Sequence, residues 1–168
     1  RGRRAALGAM AALTMLDQDD PARADATFAA AHADAQAAGN AALAADIAID
    51  RARAQVALKQ DQAAALGLAE GRVNSPANPL GWLLSATLAR RQGDLAAAQG
   101  FIEQAAVRAP QDPAVGLEAG VIAVLAGREA AARKSWQSVL RLAPDSDEAK
   151  TAQGYLDQLG PEPASSGR

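Results

Sequence analysis

Small and apolar residues recur along the chain at helical spacing, and between residues 79 and 144 the whole pattern occurs twice with a step of 34 residues. Each copy predicts one helix that starts at a proline and ends at a glycine, then a second helix that ends before another proline. A fixed period of this length indicates stacked units, each of which buries its apolar face against the next. The residues that match across the step are Pro79 and Pro113, Ala89 and Ala123, Gly93 and Gly127, Ala98 and Ala132, Ile102 and Trp136, and Pro110 and Pro144.

The residues at the helix ends support this prediction. Asn78 and Asp112 precede the opening prolines, where their side chains can cap the free backbone amides of the first helix in each copy. Gly93 can adopt a positive φ and so end that helix, and Asp94 then stands at the cap position of the second helix. Ala98 is small where the two helices must approach each other. Each copy is therefore expected to form a closely packed helix pair.

The segments on either side continue the helical pattern. Ala64 and Pro76 precede Ala98 and Pro110 by one period, although Lys59 stands where the later copies have glycine, which indicates a weaker turn. The predicted organisation is a single domain at 1–160, with units at about 5–40, 43–78, 79–112 and 113–146, a capping helix at 147–159 and a flexible tail at 161–168.

These repeats resemble the tetratricopeptide repeat, a helix–turn–helix unit with small and large apolar residues at fixed places. In the first copy the resemblance rests on Trp82, Ala86, Ala89, Gly93, Asp94, Ala98, Ile102, Ala105 and Pro110. The second copy departs from the family pattern at Gly116, which replaces the tryptophan, and at Arg128, which replaces the aspartate. The resemblance implies an all-α fold: a right-handed superhelical solenoid of antiparallel helix pairs, with about four repeats and a C-terminal capping helix.

Composition independently favours helices, since 49% of the 168 residues are hydrophobic, only 3% are aromatic, and alanine is the commonest residue. With 17 basic residues scattered among 19 acidic ones, no nucleic-acid partner is predicted. The absence of cysteine excludes disulfides and thiolate chemistry. The longest uncharged runs, such as 5–16, are too short to cross a bilayer, which takes about 20 apolar residues. The densest basic patch is predicted to be a solvated helix face: Arg128, Arg133, Lys134 and Arg141.

No catalytic residue, cofactor or metal site is predicted. His32 is the only histidine, and it is expected to be a partly exposed helix residue. The acids at 17–20 miss the spacing of a calcium-binding loop, so Asp20 is interpreted as a helix cap before Pro21.

Two further pairs invite functional interpretations. Asp46 and Asp50 share one helix face and are expected to form a solvated pair near Arg53. Gly116 and Gly120 have the spacing of a membrane helix-packing motif, but Glu118 lies between them, so close packing within a soluble repeat is predicted.

The resemblance also implies a binding surface, because in tetratricopeptide repeats the first helix of each unit lines a concave groove that binds extended peptides or partner helices. Carried over position by position, the groove would comprise Ile49, Arg53, Leu80, Leu83, Thr87, Arg90, Arg91, Leu117 and Val121, with Asp46, Val124 and Leu125 beside them. Two alternatives stay open: Arg90 could instead pair with Asp94 at i,i+4, and residues 117–125 could simply pack under the terminal helix. The Lys and Asn clamp of some chaperone-binding members is not at the matching positions.

The predicted function is therefore a non-catalytic scaffold that binds a protein or peptide partner in the concave groove. The alternative is a structural or self-associating module of a larger envelope assembly, with a homo-oligomer as its form. The run at 79–91 is also similar to small Ala-rich repeat proteins of alphaproteobacteria, many of which carry a signal sequence. That similarity implies a periplasmic location, with the cytoplasm as the alternative, and the start at Arg1 is interpreted as a processed or trimmed end.

Overall fold

The structure, a computed structural model, describes residues 1–164, and this part of the chain contains nine α-helices and no strand. Turns of three or four residues join consecutive helices. The helices are α1 (Gly2–Asp17), α2 (Pro21–Ala37), α3 (Ala41–Ala57), α4 (Asp61–Asn74), α5 (Pro79–Arg91), α6 (Leu95–Arg108), α7 (Pro113–Leu125), α8 (Glu129–Leu142) and α9 (Asp147–Leu159). The predicted all-α fold class is confirmed.

The helices start where the sequence supplies a side-chain cap. Asp20 and Asp94 each accept a hydrogen bond from the backbone amide three residues on, at 3.2 and 3.0 Å. Asn78 and Asp112 accept from the amide two residues on, at 3.0 and 2.9 Å. These caps satisfy donors that a helix N-terminus otherwise leaves free. The four predicted caps are thus confirmed.

In the second half of the chain, three-residue turns within the helix pairs alternate with four-residue turns between the pairs, whereas the first half has only three-residue turns up to α4. The turns within the later helix pairs place Gly93 and Gly127 at φ 81° and 78°. Asp19, Gly39 and Lys59 take the same left-handed conformation, at φ 58°, 69° and 60°, so α1 to α4 are joined by three turns of one kind. Lys59 therefore forms the glycine-type turn despite its side chain.

The longer helices of the first half change the repeat length. α1, α2 and α3 have 16 or 17 residues, whereas α5 to α8 have 13 or 14. As a result, Phe28 and Leu68, which hold equivalent buried positions in α2 and α4, stand 40 residues apart instead of 34.

The helices form two layers. Consecutive helices pack against each other, and the odd-numbered helices also contact the next odd-numbered one from α1 to α9. Within the described residues, no two even-numbered helices approach as closely along their backbones. Because the odd-numbered helices lie closer together, the stack curves towards them and their layer is the concave one. This arrangement is a solenoid of helix pairs.

Small and large residues alternate in the core between the layers. Ala24, Ala64, Ala98 and Ala132 are fully buried where paired helices approach, and Phe28, Leu68, Ile102 and Trp136 fill the space one turn later. Glycines permit the closest approach, as the sequence predicted for α7. A Cβ atom on Gly120 would lie 2.1 Å from Nε1 of Trp136, and one on Gly116 would lie 2.7 Å from Cγ2 of Val139.

Helix α9 closes the core at the C-terminal end. Ala149 and Ala152 are buried against α8 and α7, and the Tyr155 ring lies 5.1 Å from that of Trp136. In α7, Gly116, Gly120 and Ala123 face α8. The equivalent residues of α9, 34 positions later, are Lys150, Gly154 and Asp157, and all three are exposed. The outer side of α9 is therefore polar or small, as expected of a solenoid cap.

The predicted solvated basic face is wrong for Arg133. This residue is only 6% exposed, and it donates hydrogen bonds to the carbonyls of Gly160 (2.8 Å) and Leu159 (3.2 Å) and to Glu129 (2.9 Å). A guanidinium carries five donors in a fixed fork, which suits several carbonyls at the end of one helix. Arg133 thus fixes the end of α9 to α8. Of the predicted flexible tail, residues 165–168 lie outside the described part.

Candidate binding surface

The concave side of the helix stack consists of side chains that recur every 34 residues in α3, α5, α7 and α9. We call the solvent-facing part of this layer the inner face. Three series of equivalent positions cross it: Asp50, Leu84 and Glu118; Arg53, Thr87, Val121 and Tyr155; and Val56, Arg90 and Val124. The surface between two neighbouring odd-numbered helices therefore depends on which residue types occupy these equivalent positions.

Between α3 and α5 the inner face is open and apolar. A cleft of about 200 Å³ lies there, and we call it the α3–α5 cleft. Its apolar wall comes from both helices and from α4, whereas Arg53 and Arg91, both exposed, stand with Thr87 around it. The residues that line it are Ala52, Arg53, Val56, Leu68, Leu84, Thr87, Leu88 and Arg91.

Between α5 and α7 an ion pair fills the corresponding place. Arg90 donates through Nε to Oε1 of Glu118 at 2.5 Å, with side chains that are 21% and 12% exposed. The equivalent residues one period earlier are Val56 and Leu84, which line the α3–α5 cleft. The alternative that paired Arg90 with Asp94 is wrong, because Asp94 caps α6 and Glu118 takes the arginine.

Between α7 and α9 the inner face is open again. A groove of about 390 Å³, here called the α7–α9 groove, has an apolar lining in which Leu125 is 55% exposed. The residues that line it are Val121, Val124, Leu125, Trp136, Tyr155, Gln158 and Leu159. Two apolar depressions thus flank the Arg90–Glu118 pair.

The structure groups some of the nine residues expected at the groove and separates others. Arg53, Thr87 and Arg91 come together at the α3–α5 cleft, and Val121 lies in the α7–α9 groove. Leu80, Leu83 and Leu117 are half-buried and pack on three different core clusters. Leu117, Val121 and Val124 do pack with α9, as the second alternative proposed.

The prediction of Ile49 as a groove residue is wrong. This residue is fully buried. A Cβ atom on Gly71 would lie 2.4 Å from its Cγ1, and one on Gly81 would lie 3.1 Å from its Cδ1. The two glycines leave room into which the isoleucine fits between α4 and α5. It therefore presents no surface to a partner.

The acids of α3 are less solvated than the sequence suggested. Burial raises the pKa of Asp50, Asp46 raises it further, and Arg53, 3.9 Å away, opposes both. Asp46 accepts hydrogen bonds from the side chains of Ser75 and Asn78, the latter at 3.1 Å, and so ties α3 to the turn before α5. The predicted solvated pair is therefore wrong for Asp46.

The lone histidine links two helices of the outer layer. Nε2 of His32 lies 2.9 Å from Oε1 of Glu70, which joins α2 to α4, and the histidine side chain is only 18% exposed. Asp20 caps α2, as predicted. Among residues 1–164, no three His, Cys, Asp or Glu side chains are grouped so that they could hold a metal ion.

Sequence reasoning missed Leu84 and Glu118 as inner-face residues. Both lie on the 34-residue series that includes Asp50, and no residue of that series was expected in the groove. Where that series changes from Leu84 to Glu118, the inner face changes from an open cleft to a place filled by an ion pair.

The architecture and this surface define the class of protein, a solenoid of paired α-helices with apolar depressions on its concave side. A crystal structure of a tetratricopeptide repeat protein from Parabacteroides merdae matches 94% of the chain with a TM-score of 0.71 and 13% sequence identity. The chain spans 60% of the length of that protein. No protein-family model and no curated protein matches the sequence. The fold is therefore tetratricopeptide-repeat-like. Within the described residues, no helix has both the length and the apolar character needed to cross a membrane.

Proposed function

We propose that the chain is a non-catalytic interaction scaffold that binds an extended segment of a partner protein on its inner face. The α3–α5 cleft carries this proposal, because it offers apolar surface to a ligand beside two exposed arginines. Apolar depressions with a few polar groups at the edge are where partner side chains typically anchor. The similarity to bacterial repeat proteins adds a periplasmic location to the proposal.

A second candidate is a self-associating or structural module. The observation that favours it is the free side of α1, where Leu7 and Met10 are 57% and 65% exposed. Leu7 is equivalent to Ile47 at the 40-residue step, and Ile47 is buried in the cluster that includes α2. In a longer stack, or with a second copy, a helix would cover Leu7 in the way that α2 covers Ile47.

The experiment that tests the first candidate is affinity capture from an extract of the source cells. The wild-type chain is compared with the double variant Thr87→Glu and Arg91→Glu, which changes the cleft without touching the Arg90–Glu118 pair. Val107→Glu is the matched control, because Val107 is 77% exposed on α6, in the outer layer. Circular dichroism checks that all three chains are folded.

Proteins that the wild type and the control retain, and that the double variant loses, would support the proposal. Capture that does not differ among the three chains, or no capture at all, would contradict it. Sedimentation of the purified chain over a range of concentrations then tests the second candidate, with Leu7→Glu expected to abolish any self-association through α1.

A further inference from the structure

We infer that the α3–α5 cleft is a subsite for one aliphatic side chain that is followed or preceded by an acidic side chain in the bound segment. The inference rests on the proposed function and adds the chemistry of the partner. It follows from three features of the cleft: its size, the charges beside it, and its position on the inner face.

The size of the cleft selects a single side chain. At about 200 Å³ it is smaller than the roughly 300–1,000 Å³ of sites that enclose whole small molecules. Its walls are aliphatic, with Val56, Leu84 and Leu88 among them, and no aromatic residue lines it. An aliphatic side chain would therefore replace water against a surface of its own kind.

The charges beside the cleft favour a carboxylate. Arg91 is exposed, and the described residues place no carboxylate within ion-pair distance of it. Arg53 has a carboxylate neighbour in Asp50, but their closest atoms are 3.9 Å apart and the arginine side chain is 42% exposed. Arginine presents paired donors that match a carboxylate, and such pairs strengthen when a ligand excludes water. A basic residue at this point of the ligand would instead face two guanidinium groups.

The position of the cleft indicates a side-chain carboxylate within a segment and not a chain end. The series Arg53, Thr87 and Val121 continues across the inner face from the α3–α5 cleft to the α7–α9 groove. The Arg90–Glu118 pair lies between the two depressions and neutralises its own charges. A segment that fills both depressions therefore passes over this pair, which leaves the acidic residue at Arg91 in the interior of the segment.

The test is a titration of the isotope-labelled chain with short synthetic peptides, followed by amide NMR shifts at millimolar peptide. The peptides are acetylated and amidated, and each carries one central pair in a glycine background: Asp-Leu, Asn-Leu, Lys-Leu or Asp-Ser. A further peptide with a free C-terminal leucine and no acid represents the chain-end source of the carboxylate. We expect Asp-Leu to shift the amides of Thr87, Leu88 and Arg91, and to bind at least about fivefold more tightly than Lys-Leu, as an ion pair of about 1 kcal/mol provides.

Two variants and one control variant test the assignment of the charges. Arg91→Gln should remove the preference for Asp-Leu over Asn-Leu, whereas Arg141→Gln, at an exposed arginine of α8, should leave it unchanged. Asp50→Asn should tighten binding of Asp-Leu, because it removes the carboxylate that competes for Arg53.

The inference would be overturned by equal binding of Asp-Leu and Lys-Leu, by equal binding of Asp-Leu and Asp-Ser, or by tighter binding of the free C-terminal leucine. It would also be overturned if neither Asp-Leu nor a peptide with the reversed pair Leu-Asp shifted these amides. None of these results decides the proposed function, which fails instead if the cleft variant captures the same proteins as the wild type. The two failures are therefore distinguishable.

Discussion

Gly120 in α7 and Gly154 in α9 stand one period apart, but their surroundings are opposite. A Cβ atom on Gly120 would meet the buried Trp136 indole at 2.1 Å, whereas one on Gly154 would meet nothing within 4 Å. Gly120→Ala should lower the free energy of unfolding by about 1–2 kcal/mol, because the cost of overpacking exceeds the gain in helix propensity. Gly154→Ala should raise it by up to about 1 kcal/mol.

Urea unfolding of the two variants, followed by circular dichroism, measures both effects. Since the two substitutions are chemically identical, a difference in sign reports only the surroundings. Destabilisation by both, or stabilisation by both, would mean that the close approach of α7 and α8 at Trp136 is wrong.

Asp50 leads to a prediction about pH. Because burial raises its pKa above the ordinary value of 3.8, folding disfavours the ionised form. The resulting loss of stability is absent below the unfolded-state pKa, grows as pH rises through the folded-state pKa, and is fully present above it. Asp50→Asn should therefore raise the free energy of unfolding more at pH 7 than at pH 4, relative to wild type. Denaturant titrations at the two pH values measure this, and a greater benefit at pH 4 would contradict the predicted sign.

At the scale of helices, the Arg90–Glu118 pair joins α5 to α7, two helices that are not consecutive in the chain. Glu118→Gln leaves a partly buried guanidinium without its carboxylate and should destabilise the fold by about 1–3 kcal/mol. Asp34→Asn is the control, since Asp34 pairs with a 78% exposed Arg4 at 3.7 Å and should change stability by less than about 1 kcal/mol. Thermal unfolding of both variants tests this, and equal effects would mean that the α5–α7 pair adds no more than a surface pair.

The helices and their ends were predictable from sequence because the causes are local. Caps such as Asn78 and Asp94, and the positive-φ turn at Gly93, act within a few residues of one helix end. The 34-residue step predicted which residues are equivalent in the later helices, and the buried Ala64, Ala98 and Ala132 follow it. Lys59 shows the limit of this reasoning, since a non-glycine residue adopts the left-handed turn where tertiary packing fixes the chain on both sides.

The contacts between non-consecutive helices were not predictable in the same way. Ile49 is equivalent to Leu83 and Leu117, but only Ile49 meets glycines on two neighbouring helices and becomes fully buried. Arg90 pairs 28 residues away, and His32 pairs 38 residues away. Such partners depend on how the helix pairs rotate against one another, which a repeat pattern alone does not determine. Three of the expected groove residues meet at one cleft, whereas Ile49 is buried and Arg90 is already paired.

At the scale of the whole molecule, the curvature follows from the two layers. The odd-numbered helices contact one another and form the concave side. Between the even-numbered α4 and α6, the Arg72 guanidinium reaches across and stacks 4.5 Å from the centre of the Phe101 ring. The inner face has two apolar depressions, one on each side of the Arg90–Glu118 ion pair.

Site-specific photo-crosslinking in the source cells tests whether a partner protein binds at the inner face. A photoreactive phenylalanine derivative replaces either Thr87, in the α3–α5 cleft, or Val107, on the outer layer. We expect a covalent adduct with a partner protein from position 87, lost when Arg91→Glu is added, and none of that adduct from position 107. The same adduct from both positions, or an adduct from position 107 alone, would contradict binding at the inner face.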